Sequence, residues 1–249
     1  MHSMDGYNPS WYKEWFGEDY LTVYKHRDNS DARRLTALIL RHCPVGSGGK
    51  VLDLACGNGR HSFLLARHFS TVIGLDLSAH LLRVAQNSRK SSACPCFVRG
   101  DMRLLPFKSG FDLVASLFTS FGYFDDDAQH RQVAGEIARV LRPGAYFVID
   151  YFNAAYVRDH LVAEGERVIE GRIIREKRWI EGGRVNKKIL IEKDGRIKSF
   201  LESVRMFSGQ ELVNLFTAAG IETQHMFGDY DGSALTPSSP RMIIFGKKR

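Results

Sequence analysis

Between about residues 50 and 150 the chain alternates short apolar runs with longer segments in which apolar residues recur every three or four positions. The short runs have the length of buried strands, and the longer segments have the period of amphipathic helices. Regular alternation of strands and helices predicts a parallel sheet with helices on both faces. Ligands of such sheets bind at the carboxyl ends of the strands. The predicted strands are 51–54, 71–76, 96–99, 111–118 and 145–150.

From about Glu164 to Phe207 the pattern changes to runs in which apolar and polar residues alternate. Glu181-Gly182-Gly183 and Lys193-Asp194-Gly195 interrupt these runs, and Asp-Gly between alternating strands is typical of a hairpin. We expect a three-stranded antiparallel meander, inserted after the fifth strand of the sheet. It carries twelve Lys and Arg against eight Asp and Glu, so it holds +4 of the net charge of +7. Because its strands lack regular exposed aromatic residues for stacking RNA bases, we interpret the charge as the solvated face of a lid.

Helices are predicted near both ends of the chain, at 11–16, from Asp28 to about His42, and from Ser208 to Gly220. Ser208 and Glu211 have the spacing of a capping box, and glycine is typical of a helix end. Strands at 222–228 and 241–246 complete the pattern. The chain is therefore divided into an N-terminal helical cover (1–45), an α/β core (46–163), the antiparallel insertion (164–207) and a C-terminal part of the core (208–249).

The composition is that of a globular protein, with 44% hydrophobic and 25% charged residues in a chain of 249. No apolar run has the length of a membrane span, and the first residues lack a signal-peptide core, so we expect a cytoplasmic protein. The cysteines lack the spacing of a zinc site, and we expect reduced thiols and no metal. They are Cys43, Cys56, Cys94 and Cys96.

A glycine-rich turn follows the first predicted strand, in the segment from Asp53 to Arg60. Gly57 and Gly59 permit a tight turn and leave the backbone open to a ligand, and the next helix begins with unpaired N–H groups. An ordinary turn that binds nothing would look similar. A dinucleotide site is disfavoured, because Ser62 stands where that fingerprint has its third glycine.

Two further predicted strands end in an acid. Asp76 closes the second strand, where a carboxylate can accept both hydroxyls of a ribose, although it could instead cap the helix that begins near Ser78. Asp101 follows the third strand in the triplet Gly100-Asp101-Met102, which taken alone could be a turn. Three acids at successive strand ends favour a nucleoside-type ligand.

These segments, in order and at similar spacing, resemble the motifs of the class I S-adenosylmethionine (SAM) dependent methyltransferases. The resemblance covers about residues 50–151 and includes the segment 118–123 and the turn Leu141-Arg142-Pro143-Gly144. It implies a Rossmann-like, mostly parallel seven-stranded sheet whose last two strands form an antiparallel edge pair. SAM is the implied cofactor and S-adenosylhomocysteine the product. The residues expected to bind the cofactor are Arg27, Asp53, Ala55, Cys56, Gly57, Gly59, Arg60, Asp76, Leu77, Gly100, Asp101, Met102, Phe118 and Thr119.

The methyl sulfonium of SAM is already activated, so the family needs positioning more than a universal catalytic residue. His26 and Tyr123 are candidates for orienting or deprotonating the acceptor, and Tyr20, Tyr24, Tyr123 and Tyr151 for contacting it. We expect a small-molecule acceptor, no membrane or nucleic-acid partner, and a monomer or homodimer. An RNA- or protein-modifying enzyme that docks through the basic insertion, and a SAM-binding protein without activity, are alternatives. The acceptor atom is open.

Overall fold

The computed structural model describes residues 8–25, 29–89 and 95–249. Its helices are α1 (Trp11–Trp15), α2 (Glu18–Val23), α3 (Asn29–His42), α4 (Arg60–Leu65), α5 (Ala79–Asn87), α6 (Asp127–Val140), α7 (Ala154–His160) and α8 (Gly209–Ala218). Its strands are β1 (Lys50–Leu54), β2 (Thr71–Asp76), β3 (Cys96–Arg99), β4 (Phe111–Ser116), β5 (Leu141–Phe152), β6 (Glu164–Ile169), β7 (Arg172–Glu181), β8 (Arg184–Lys193), β9 (Arg196–Arg205), β10 (Ile221–Phe227) and β11 (Arg241–Lys248). No helix in these parts of the chain is long and apolar enough to cross a membrane.

The main sheet has seven strands in the order β10-β11-β5-β4-β1-β2-β3. Strands β1 to β5 pair in parallel, and β11 joins β5 and β10 in antiparallel register. The central strands are almost entirely buried, because helices cover the sheet and leave its apolar residues no solvent-facing side. This arrangement confirms the predicted Rossmann-like class and the antiparallel pair at one edge.

The insertion forms a separate antiparallel sheet with four strands, in the order β6-β7-β8-β9, where we predicted three. The additional strand is β6, which pairs with β7 across the turn Glu170-Gly171. Both turn residues have positive φ, +50° and +71°. Glutamate rarely occupies this region, so the sequence has a weak turn signal here, unlike Asp194-Gly195 in the last hairpin.

The insertion is attached to the core through packing and through Arg184. Ile174, Ile189 and Ile191 are buried in the main hydrophobic cluster. The guanidinium of Arg184 donates hydrogen bonds to the carbonyls of residues 122–124, the loop that follows β4. These contacts fix the insertion next to the carboxyl ends of the core strands.

Two helix N-termini are capped by side chains as the sequence indicates. Ser208 and Glu211 make both hydrogen bonds of the predicted capping box at the start of α8. Ser78 caps α5 by accepting a hydrogen bond from the backbone of Leu81. Since Ser78 supplies this cap, the carboxylate of Asp76 is not needed for it.

The buried imidazole of His130 makes the stability of the fold depend on pH. It lies among Phe121, Phe124 and Phe207, and burial lowers the pKa of His130 from 6.5 to about 4. Between these pH values the unfolded chain binds more protons here than the folded chain, so stability falls as the pH is lowered through this window. We expect His130→Phe to lose less stability than the wild type over the same window, measured by urea unfolding. The exposed His68→Gln is the control, and wild-type pH dependence in His130→Phe would contradict this explanation.

Candidate active site

A cavity of about 1190 Å³ lies between the carboxyl ends of the core strands and the insertion. It has two parts, which differ in the elements that line them. The strand-end half is lined by the loops after β1, β2, β3 and β4. The insertion half is lined by strands β6 to β9, by α7 and by the aromatic residues of α1 and α2.

The loop after β1 turns through Ala55, Gly57 and Gly59, all of which have positive φ. Four of the residues expected to bind the cofactor line the cavity here: Ala55, Cys56, Gly57 and Arg60. Gly59 does not line it. A Cβ at Gly59 would lie 2.7 Å from Cζ of Phe97, so this glycine is required for packing of the helix start.

Asp53 is another predicted cofactor residue that does not line the cavity. Its carboxylate is 2% exposed and accepts a hydrogen bond from the hydroxyl of Ser62 in α4. Burial raises the pKa of Asp53 to about 6. Asp53 therefore joins β1 to the following helix and supports the loop from behind.

Asp76 lines the strand-end half at the end of β2. Its two carboxylate oxygens accept hydrogen bonds from the backbone N–H groups of Gly57 and Ser78, each at 2.8 Å. Burial raises the pKa of Asp76, although these hydrogen bonds favour its charged form. Each oxygen keeps a second lone pair, so the carboxylate can also accept hydroxyl groups.

The loop after β3 brings Gly100, Asp101 and Met102 to the cavity, next to Leu77. The carboxylate of Asp101 accepts hydrogen bonds from the guanidinium of Arg103. Burial raises the pKa of Asp101, but the Arg103 side chain outweighs burial and lowers it below the ordinary value. Asp101 is thus an ionised acceptor, and both of its oxygens already accept hydrogen bonds from Arg103.

The loop after β4 has an unusual backbone, because Phe118 and Thr119 have φ values of +60° and +61°. The fully buried carboxylate of Asp150 accepts a hydrogen bond from the Phe118 N–H, and its backbone carbonyl accepts one from the Thr119 N–H. Arg241 pairs with Asp150 at 2.6 Å and donates to the hydroxyl of Thr119. The guanidinium groups of Arg60 and Arg241 lie 4.8 and 5.4 Å from the centroid of the Phe118 ring. Both arginines line the cavity, and sequence reasoning missed Arg241.

Tyr123 lies between the two halves and lines the cavity. Its hydroxyl donates to the carbonyl of Thr119 at 2.7 Å. The rings of Trp11 and Phe16, from the N-terminal segment, lie 5.1 and 5.7 Å from its ring. The cover segment therefore packs directly on the residue predicted to act on the acceptor.

The other residues predicted to contact the methyl acceptor differ in their position relative to the cavity. Tyr20 and Tyr24 line the cavity. Tyr151 does not, because its side chain is fully buried and its hydroxyl donates to the carbonyl of Arg205. His26 and Arg27 lie outside the described residues.

The insertion half contains a group of charges that sequence reasoning missed. Glu176 is 4% exposed and forms ion pairs with Arg167, Arg178 and Lys187. Burial raises the pKa of Glu176, but these cations outweigh burial and lower it to about 2. The sequence does contain a signal that Glu176 is buried. Side chains alternate between the two faces of a strand, so Glu176 lies on the same face of β7 as the buried Ile174.

The strand-end half has the features that a SAM site requires. Its loop exposes backbone at Gly57, and a carboxylate that can accept hydroxyls lies next to it. His61 also lines this half, and its buried Nε2 has no hydrogen-bond partner among the described residues. Burial lowers the pKa of His61 to about 3, so its imidazole is neutral and can accept or donate a hydrogen bond to a ligand.

Comparison with known proteins agrees with this geometry. A family model described as "Methyltransferase domain" matches residues 51–144. A dTDP-3-amino-3,6-dideoxy-alpha-D-glucopyranose N,N-dimethyltransferase of Streptomyces fradiae is 30% identical over 233 residues, which cover 90% of this chain and 86% of that protein. A cypemycin N-terminal methyltransferase of a Streptomyces species is 27% identical, with 95% and 97% of the two chains covered.

Two solved structures show the same fold over nearly their whole length. A SAM-dependent methyltransferase from Clostridium acetobutylicum ATCC 824 has a TM-score of 0.80 at 18% identity, with 95% of this chain and 98% of that chain covered. A sugar N-methyltransferase from Streptoalloteichus sp ATCC 53650 has a TM-score of 0.73 at 25% identity, with 94% of each chain covered.

Replacement of Asp76 tests whether the strand-end half binds SAM. We expect Asp76→Ala to weaken SAM binding at least about tenfold, because it removes a carboxyl hydrogen-bond acceptor from the cavity wall. Isothermal titration calorimetry measures this directly. Asp112→Ala is the matched control, since Asp112 also accepts a backbone hydrogen bond, from Lys50, but does not line the cavity. Near-normal affinity in Asp76→Ala would contradict the assignment.

Proposed function

Because the chain belongs to the class I SAM-dependent methyltransferases, we propose that it methylates the amino group of a small molecule, with an amino sugar nucleotide as the acceptor. The observation that carries this proposal is the likeness to the Streptomyces fradiae sugar N,N-dimethyltransferase over 90% of the chain. The 233 aligned residues outnumber those of the core, so the alignment also includes segments of the cover and the insertion that line the insertion half. We also propose that the chain is divided into an N-terminal cover, a core and an insertion, and that the insertion acts as a lid over the cavity.

The residues of the strand-end half hold the cofactor. Asp76 binds the ribose hydroxyls, Asp101 and Met102 contact the adenine, and the backbone at Gly57 contacts the methionine part. Arg60 faces the carboxylate of the methionine, since a guanidinium suits a carboxylate. The bound cofactor supplies an electrophilic methyl group. The protein places the acceptor nitrogen towards that methyl and keeps water away, with Tyr123 and the aromatic cover forming the wall between the halves.

The pairing of charges in the insertion supports a small acceptor more than a nucleic acid. Eight of its twelve Lys and Arg form ion pairs, so the basic charge is largely compensated within the protein. A nucleic-acid surface needs cations that are free to contact phosphates. Oligomeric state, monomer or homodimer, stays a prediction.

A peptide amino terminus is the second candidate acceptor. It is supported by the likeness to the cypemycin N-terminal methyltransferase, which covers nearly the whole of both chains. Both candidates share an amine as the methylated group and differ in what surrounds it.

Methyl transfer to a defined acceptor tests the function. We expect the purified protein with SAM to convert dTDP-3-amino-3,6-dideoxy-α-D-glucopyranose to products heavier by one or two methylene units, detected by mass spectrometry. Conversion of an amino-terminal peptide library and not of the sugar nucleotide would instead support the second candidate. SAM binding without transfer to either would contradict the proposal and favour a non-catalytic protein.

Removal of the Tyr123 hydroxyl tests whether the wall between the two halves of the cavity contributes to turnover. We expect Tyr123→Phe to lower kcat about tenfold, because the loss of its hydrogen bond to Thr119 loosens a loop that lines the reaction site. Steady-state kinetics with the accepted substrate measure the change. Tyr146→Phe is the control, since Tyr146 does not line the cavity. Unchanged turnover in Tyr123→Phe would remove this hydroxyl from the mechanism.

A further inference from the structure

Three glutamates line the insertion half of the cavity, and their partners differ. Glu176 is paired with three cations and has no charge to offer a ligand. Glu166 pairs with Arg175 at 2.6 Å, in a position where its side chain is 58% exposed. Glu202 is half-buried and forms no ion pair with the described residues. Of the three, it is therefore the carboxylate with no cation within ion-pair distance among the described residues.

The hydrogen bonds of Glu202 come from two neutral groups of the N-terminal cover. Trp15 Nε1 donates to Oε1 at 2.6 Å, and the hydroxyl of Tyr24 donates to the same oxygen at 2.7 Å. Oε2 accepts no hydrogen bond from the residues that the structure describes. The carboxylate is thus fixed in orientation through one oxygen, with the other available to a ligand.

The nearby cation Lys187 is committed to other groups. Its Nζ lies 2.7 Å from Oε1 of Glu176 and 2.7 Å from the hydroxyl of Tyr24. Lys187 lies opposite Glu202 across the β8–β9 ladder and interacts with it electrostatically, but its ion pair is with Glu176. The direct hydrogen bonds of Glu202 come from neutral donors, so a cationic ligand at Oε2 would add the ion pair that this carboxylate lacks.

Resting on the proposed function, we infer that Glu202 is the residue that recognises the acceptor amine, by pairing through Oε2 with its ammonium form. The pairing places the nitrogen in the insertion half, opposite the strand-end half that holds the cofactor. The proton then moves from the ammonium nitrogen to Oε2 of Glu202, which leaves the nitrogen with the lone pair that methylation requires. Trp15 and Tyr24 act as positioning residues, because they hold the carboxylate through Oε1.

This role is distinct from a structural link between the cover and the insertion. A structural Glu202 would affect every ligand equally, since its loss would disturb the wall of the cavity. A carboxylate that recognises an ammonium distinguishes an amine from a hydroxyl of the same shape, because only the amine becomes a cation. The glutamine substitution keeps a side-chain oxygen for Trp15 and Tyr24 and removes the charge.

Titration calorimetry on protein saturated with S-adenosylhomocysteine tests the inference. The ligands are dTDP-3-amino-3,6-dideoxy-α-D-glucopyranose and dTDP-6-deoxy-α-D-glucopyranose, which has a hydroxyl in place of the amine. We expect Glu202→Gln to weaken the amine at least about tenfold and the hydroxyl less than about twofold. Glu166→Gln is the matched control, because Glu166 lines the same half but pairs with Arg175.

Equal weakening of both ligands, or an unchanged preference for the amine in Glu202→Gln, would overturn the inference and leave the proposed function intact. If the wild type binds neither ligand, the proposed acceptor is wrong, and the inference is tested on the labelled small-molecule product formed from methyl-labelled SAM in a cell extract. A product methylated on a basic nitrogen, formed at least about tenfold more slowly by Glu202→Gln than by Glu166→Gln, would support it. A product methylated on oxygen or carbon would overturn it.

Discussion

The fully buried carboxylate of Asp150 lies near the carboxyl end of β5 and holds together the segments that meet there, beside the cavity. It binds the backbone of the loop after β4, the hydroxyl of Tyr230 and the guanidinium of Arg241. A buried charge is tolerated only when it is paired and fully hydrogen-bonded, and each of these partners comes from a different segment of the chain. The positive φ values of Phe118 and Thr119 are maintained by these contacts, since two neighbouring non-glycine residues would not otherwise adopt them.

The two halves of the cavity are coupled through the N-terminal cover. Tyr24 contacts both Glu202 and Lys187 of the insertion, and the carbonyl of Phe16 accepts a hydrogen bond from Ser78, whose N–H donates to Asp76. The same short segment therefore contacts the insertion residues that would bind the acceptor and, through Ser78, supports the carboxylate that would bind the cofactor. Its aromatic residues line the cavity, where they would keep water away from the proposed methyl transfer.

The sequence predicts the core and most of the strand-end half because their signals are local. Each acid or glycine there directly follows an apolar strand, and parallel strands bring their carboxyl ends together. Asp53 and Gly59 belong to the same motif but support the loop from behind. Whether a motif residue faces the ligand or the core depends on packing against Ser62 and Phe97, which periodicity does not reveal.

The insertion half could not be predicted to the same extent. Glu176, Lys187 and Glu202 lie on three different strands and meet only when the hairpins pair in register. Arg241 is the first residue of β11, one strand of the antiparallel pair at the sheet edge, and its partner Asp150 is 91 positions away along the chain. Tyr151, a predicted acceptor residue, is instead fully buried in β5, where its hydroxyl donates to the backbone of Arg205 in the insertion.

In our proposal one cavity binds the methyl donor in its strand-end half and an amine acceptor in its insertion half. A crystal structure of the protein with S-adenosylhomocysteine and dTDP-3-amino-3,6-dideoxy-α-D-glucopyranose would show both ligands at once. We expect the adenosine next to Asp76 and the sugar nitrogen within hydrogen-bond distance of Glu202 Oε2. Adenosine bound away from Asp76, or a sugar nitrogen that contacts no carboxylate of the insertion, would contradict it.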